Sequence, residues 1–332
     1  MTEEKKIEKI ALLFPGLGTH YPGMGIDLYR ENMPVREVFD TARDVLWFYP
    51  KFPLLNRFYR KSKLDETVDA QRAVFVTNHA LFQLFRERFP NLEYHVTAGH
   101  SIGQYNALIA SGAATYEDTL KLVVEGTRSI DDVTSEIKGD LFLLVGKYDL
   151  DDAKRLLKDF ESRKIYIALK NSPGGVVIGG LNEDLGYAKK ELEGIGIKCS
   201  DLKIRGAYHT LHMKPAADKV KHLIENANII PARVPLIGNA SARAITRPRD
   251  IQEELYTQLF NLVQWQNSVR FAYQEFGITF FIVIGDDYHQ SIGKTVKSTL
   301  TRIHAQEGPD YRITTIRNKI SLEKAVEKLS RC

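Results

Sequence analysis

Cysteine is nearly absent. The 332 residues contain two, Cys199 and Cys332, far apart and in neither a CxxC nor a metal-ligand spacing. That excludes a disulfide framework and a zinc site and points to a reducing cytoplasm. No apolar run approaches the length of a membrane span. The charged opening MTEEKKIEKI leads straight into a short apolar stretch and is not read as a signal peptide. Charge of one sign is not in excess either. Lys and Arg number 46 against 42 Asp and Glu, a formal +4, which suits an acidic partner but is too weak to argue for nucleic acid. Internal repeats and low-complexity segments are missing. What remains is ordinary: 43% hydrophobic and 27% charged residues, in a chain long enough for one large domain with a smaller one inserted or appended. A cytoplasmic protein with no metal, no membrane contact and no nucleic acid is expected.

Ile10–Phe14 reads as a short buried strand broken by PGLG. The stretch WFYPKFPLLNRFYRKSK within 40–64 is aromatic and basic, and its prolines prevent one continuous helix. Apolar spacing predicts a helix over 73–89, stopped by Pro90, and a strand over 94–98. From about residue 138 the texture changes. Strands are expected over 140–145, 165–169, 176–178 and 198–204, with helices over 151–160 and 185–192. That order, βαββαβ, is the ferredoxin-like signature. The chain is therefore divided into a large α/β domain in two parts, 1–137 and 205–332, with a small subdomain at 138–204 between them. The second part contains the strand Phe280–Ile284 and a polar turn after it.

The central motif is Gly99-His100-Ser101-Ile102-Gly103, a GxSxG pentapeptide between an expected strand and an expected helix. Two glycines allow a sharp turn that exposes the serine hydroxyl at a helix start. There the Ile102 amide and the helix dipole can face a developing oxyanion. Serine needs a base to become a nucleophile. Spacing alone does not choose among the 9 histidines. His100 is adjacent but points away from the serine if the turn is tight. His209 and His212, both in GAYHTLHM where the chain re-enters the large domain, are rivals.

PGLG, GHSIGQYNALIASGA, NSPGGVVIGG, GAYHTLHM and QLFNLVQWQNSVRF follow one another in this order. The set resembles the malonyl-CoA:acyl-carrier-protein transacylases and the acyltransferase domains of polyketide synthases, over residues 11–297. The resemblance implies an α/β-hydrolase-like large domain carrying an inserted ferredoxin-like subdomain. It implies Ser101 as nucleophile and His209 as base, with a backbone carbonyl, rather than an aspartate, orienting the imidazole. It places the backbone amides of Leu17 and Ile102 in the oxyanion hole, Leu17 standing where the family has glutamine. Gln71 in AQRA and Asn171 in NSPG match residues near the acyl pocket, and His100, Gly126 and Tyr208 are assigned to that pocket with them. No tightly bound cofactor is implied. The substrate would be a coenzyme A or phosphopantetheine thioester and the partner an acyl carrier protein, met by a monomer.

The departures narrow the reading. Gly126, in LKLVVEGTRSID, stands where malonyl-transferring members carry the arginine that grips the malonyl carboxylate in a bidentate pair. Arg128, two residues on, is turned away by about 200° on a helix. GDDYHQ at 285–290 and Leu262 also differ from the family. The sequence thus implies transfer of an acyl group other than malonyl. The alternatives are hydrolysis of carrier-bound acyl groups, as by an editing thioesterase, and an idle scaffold. Candidate carrier-protein contacts are Arg57, Arg60, Lys61 and Lys63 in one run, with Lys203 and Arg205 at the subdomain junction.

Overall fold

The computed structural model describes residues 8–31, 33–47, 67–202, 204–285, 291–307 and 311–329. In chain order the first elements are β1 (Ile10–Phe14), α1 (Ile26–Glu31), α2 (Met33–Trp47), α3 (Thr67–Arg88), β2 (Val96–Gly99), α4 (Gly103–Ala110) and α5 (Tyr116–Glu136). A second group follows: β3 (Gly139–Val145), α6 (Leu150–Leu157), β4 (Tyr166–Ser172), β5 (Gly175–Leu181), α7 (Asn182–Gly194) and β6 (Lys198–Asp201). The chain continues through α8 (Lys214–Glu225), β7 (Leu236–Ile237), β8 (Ala244–Ile245), α9 (Pro248–Thr257), α10 (Trp265–Phe276), β9 (Phe280–Ile284), α11 (Ile292–Glu307), β10 (Arg312–Ile316) and α12 (Lys319–Leu329).

Two sheets result. The larger has the order β10-β9-β1-β2-β7-β8 and is parallel except for the β7–β8 pair. Its central strands IALLF and FFIVI are apolar at every position because helices cover both faces. Ile10, Leu12 and Phe14 belong to one core cluster, and Ala11 and Leu13 to the other, as the period-2 alternation of a strand requires. β1 lies between β2 and β9, so the strand order reverses there and a crevice opens at the C-terminal strand ends.

The smaller sheet is antiparallel, with the order β4-β5-β3-β6, and all its strands fall between residues 139 and 201. Helices α6 and α7 pack through Ala153, Leu157, Leu185 and Leu192 on Leu144, Val176 and Ile178. Its opposite side offers Leu141, Ala168, Leu169 and Val177 to the cluster that contains Trp265 and Phe281 of the larger sheet's domain. Away from the chain junction, two backbone bonds join β4 to the larger domain: Lys170 N donates to Val263 O at 2.9 Å, and Val263 N to Ala168 O at 2.9 Å. The fold is an α/β domain with a parallel-rich sheet and a separate ferredoxin-like subdomain. The helix read over 73–89 begins earlier, at Thr67, because its first turn is already buried through Asp69 and Ala70. Among the described residues no helix is long and apolar enough to cross a membrane.

Candidate active site

β2 ends at Gly99 and α4 begins at Gly103, leaving a turn with Ser101 at φ 53°, in the left-handed region. A Cβ on Gly99 would run into the Gly103 carbonyl, and one on Gly103 into the Phe14 carbonyl, so both positions must be glycine for the turn to close on β1. A non-glycine residue in that region costs about 1–2 kcal/mol. Asn239, from the β7–β8 connection, holds the turn in place. Its Oδ1 accepts from Ser101 N at 2.8 Å, and its Nδ2 donates to Gly99 O at 2.6 Å and to Gln104 Oε1.

His209 meets this turn from the loop that leaves the subdomain. Its Nε2 lies 2.8 Å from Ser101 Oγ, and its Nδ1 lies 2.7 Å from the carbonyl of Gln258. A carbonyl only accepts, so Nδ1 carries the proton and Nε2 is free to accept from the serine hydroxyl. Gln258 caps the C-terminus of α9, where carbonyls have no intrahelical partner. The negative end of the helix dipole therefore faces the imidazole and favours the cation it becomes on taking a proton. Burial lowers the His209 pKa to about 4, opposed by the Gln258 carbonyl and helped by nearby His100, so the ring is neutral at neutral pH. α9 also supports the serine side. The buried Glu254 carboxylate accepts from the amides of Ala240 at 2.7 Å and Ser241 at 3.2 Å, fixing the loop that presents Asn239.

The PGLG loop leaves β1 beside the same turn. A Cβ on Gly16 would strike the His100 carbonyl, so the loop lies directly against it. Asn78 Nδ2 donates to Pro15 O at 3.0 Å, and Thr19 Oγ1 to Gly16 O at 2.9 Å. Among the described residues, neither the Leu17 nor the Ile102 amide donates to a protein acceptor. Two free amides next to a serine hydroxyl and a neutral imidazole can support attack on a carbonyl carbon.

Beside Ser101 lies a narrow cavity of about 30 Å³, room for a water or two. Gln71, Gly126 and Tyr208 line it, together with Tyr105, Thr127 and Gln258. Gln71 Nε2 donates to the Tyr208 hydroxyl at 3.4 Å. His100 and Asn171, also assigned to the pocket from sequence, are not part of this lining. His100 Nε2 donates to Asn171 Oδ1 at 2.8 Å instead, which ties the turn before Ser101 to β4. A Cβ on Gly126 would find only the Tyr105 hydroxyl, at 3.9 Å. Arg128 faces outward and pairs with Glu125 at 2.9 Å. Arg72, on α3, is buried behind the lining, donating to Thr127 Oγ1 at 2.8 Å and Val124 O at 3.2 Å. His212 stands apart: its Nε2 donates to Lys164 O at 2.9 Å.

Arg205 is exposed at the subdomain junction. Arg57, Arg60, Lys61, Lys63, Lys203 and residues 286–290 lie outside the described residues. Asn239 went unread in the sequence, and the backbone carbonyl expected to orient the imidazole belongs to Gln258, a residue the sequence did not single out. Gln258 sits in QLFNLVQW, so its neighbourhood was marked by the family resemblance, but no local pattern singles out Asn239.

The chain is similar to known proteins over nearly its whole length. Residues 11–328 match the acyl transferase domain family. The malonyl CoA-acyl carrier protein transacylase of Bacillus subtilis (strain 168) is 32% identical over 282 residues, covering 84% of this chain and 87% of that one. Its counterpart in Haemophilus influenzae is 30% identical over 265 residues, covering 79% and 84%. Among solved structures, MCAT from Streptococcus pneumoniae superposes with a TM-score of 0.83 at 27% identity, covering 96% of this chain and 100% of that one. The same fold recurs, at TM-score 0.85 and 24% identity over 96% and 99%, in PlMCAT:AntF, a type II PKS acyl-carrier protein in complex with its malonyl-transacylase. A match that runs nearly end to end, with relatives at this level of identity, leaves no other assignment: the chain belongs to the acyl transferase domain family.

Proposed function

We propose that the protein transfers an acyl group other than malonyl from a coenzyme A or acyl-carrier-protein thioester to an acyl carrier protein, through an ester on Ser101. The observation that carries the chemistry is the relay from Ser101 Oγ to His209 Nε2 and from His209 Nδ1 to a helix C-terminal carbonyl. In the first half-reaction His209 Nε2 takes the hydroxyl proton as Oγ bonds to the thioester carbon. The tetrahedral oxyanion lies against the Leu17 and Ile102 amides. The C–S bond then breaks, and the departing thiolate receives the proton from His209. An incoming phosphopantetheine thiol reverses the sequence. The partner is read from the curated relatives, which are named for acting on acyl carrier protein. Arg205, exposed at the subdomain junction, is the basic residue we assign as a contact for such a partner.

The acyl specificity rests on Gly126. A malonyl carboxylate enclosed beside Ser101 loses its hydration, at a cost of several kcal/mol unless a cation compensates. The lining is neutral, Arg128 points outward, and Arg72 is engaged behind Thr127. The test is to incubate the protein with malonyl, acetyl and longer acyl thioesters and follow the Ser101 adduct by mass spectrometry, first alone and then with holo carrier protein. Neutral acyl adducts that persist in water and pass to the carrier thiol are expected. Adducts lost to water at the same rate with and without carrier protein would make the protein a hydrolase instead.

A further inference from the structure

Gln258 is 2% exposed, and its side chain lines the cavity beside Ser101. Its Oε1 and Nε2 have no partner within hydrogen-bond distance, and the side chain its amide interacts with is the Tyr105 hydroxyl. Leaving a buried amide donor and acceptor unpaired is costly, and folds avoid it unless a ligand or ordered water completes the site. The Tyr105 hydroxyl lies at the same end of the cavity, next to the space that Gly126 leaves open. This end therefore offers donors and an acceptor, all neutral, around a small volume.

Resting on the Ser101 acyl-enzyme proposed above, we infer that the Gln258 amide, with the Tyr105 hydroxyl, reads a hydroxyl on a short acyl chain. The complementarity decides the class. A hydroxyl both gives and takes a hydrogen bond, so it can satisfy Nε2 and Oε1 at once. A ketone can satisfy only the donor, and an alkyl chain neither. A carboxylate can accept from Nε2 but repels Oε1 and brings a charge that nothing in the lining offsets. Sites with buried polar groups discriminate strongly against an analogue that leaves those groups unpaired.

The experiment compares Ser101 loading from 3-hydroxybutyryl-, acetoacetyl- and butyryl-pantetheine, read as the rate of adduct formation. The hydroxyacyl thioester should load about tenfold or more faster than butyryl, and faster than its ketone analogue. In Gln258→Leu the hydroxy-to-alkyl ratio should collapse toward one, and in Tyr105→Phe it should fall by a smaller factor. A Gln258→Leu protein that slows both substrates in proportion would reveal only the placement of its carbonyl, and that outcome overturns the inference. Equal loading of hydroxybutyryl and butyryl by the unmodified protein overturns it too, as does ketone ahead of hydroxyl. If none of these thioesters or acetyl gives an adduct on Ser101, the acyl-enzyme reading itself fails, which is a separate result.

Discussion

Ser101 Oγ and His209 Nε2 stand 2.8 Å apart, and both residues hold that contact from a left-handed backbone, at φ 53° and 58°. Two non-glycine residues kept in a sparsely populated region at one contact represent strain that the surroundings over-determine. Ser101→Ala should abolish the adduct and leave melting within a few degrees, since one hydroxyl is lost. An adduct of unchanged yield on the Ala variant would remove Ser101 from the chemistry. His209→Ala should slow acylation by about 10² or more. His212→Ala should behave almost as the parent, because His212 is committed to the Lys164 carbonyl.

The pH profile follows from the buried imidazole. Acylation needs the neutral ring, and burial holds the His209 pKa at about 4. kcat/KM for acyl loading should therefore stay level from about pH 8 down to about pH 5 and fall only below that. A limb centred near pH 6.5 would mean that His209 titrates as a solvated histidine.

Asn239→Ala would leave the Ser101 amide and the Gly99 carbonyl without partners inside the fold. The expected cost is about 1–3 kcal/mol of stability for each unpaired group. Acyl loading should fall by an order of magnitude or more in kcat, with KM little changed, since Asn239 positions the serine and does not line the cavity. Asn239→Asp should fare no better, because a carboxylate accepts from Ser101 but donates to neither Gly99 nor Gln104. Unfolding curves and single-turnover loading check both.

Gly126→Arg tests the missing clamp. The helix admits a Cβ there, with the Tyr105 hydroxyl 3.9 Å away, and replacing a helical glycine removes a penalty of about 0.5–1 kcal/mol. The variant should fold and load malonyl better, relative to acetyl, than the parent. A parent that already prefers malonyl, and loses that preference in Arg72→Met, would place the compensating cation on α3.

Acid stability is set in part by two buried histidines. His79, stacked on Tyr116 at 4.1 Å, is lowered to about 3 by burial, and His209 to about 4. Unfolded, both titrate near 6.5. Below that value the unfolded chain binds protons that the folded chain refuses. Stability is thus full above pH 6.5 and lost as pH falls toward 4, with a slope of up to about 1.4 kcal/mol per pH unit for each histidine. His79→Gln should flatten this decline in denaturant titrations between about pH 4.5 and 7.5. An unchanged slope would mean that His79 is protonated in the folded state.

Much of this was legible in the sequence because it was written in local patterns. IALLF and FFIVI carry the all-apolar signature of strands covered on both faces, and GHSIG announces its own turn. The order of elements over 138–204 follows from alternating short apolar runs and helical spacing. β7 and β8, of two residues each, are too short to leave a period. Asn239 works through its amide across 138 residues of chain, a distance at which single-sequence spacing says nothing. His100 and Asn171 were assigned to the pocket because they flank the right motifs. Their rings and amides are spent on each other, a choice made by side-chain rotation that no spacing encodes.

The two backbone bonds between β4 and Val263 have a mechanical side. They clip the small sheet to the segment that leaves α9, the helix whose last carbonyl aims His209 and whose Glu254 steadies the loop under Ser101. The walls of the crevice are geared to both halves of the reacting pair. A swing of the small domain would pull on Val263 and, through it, on the helix end that aims the imidazole, so the seating of this sheet is coupled to the mutual placement of Ser101 and His209.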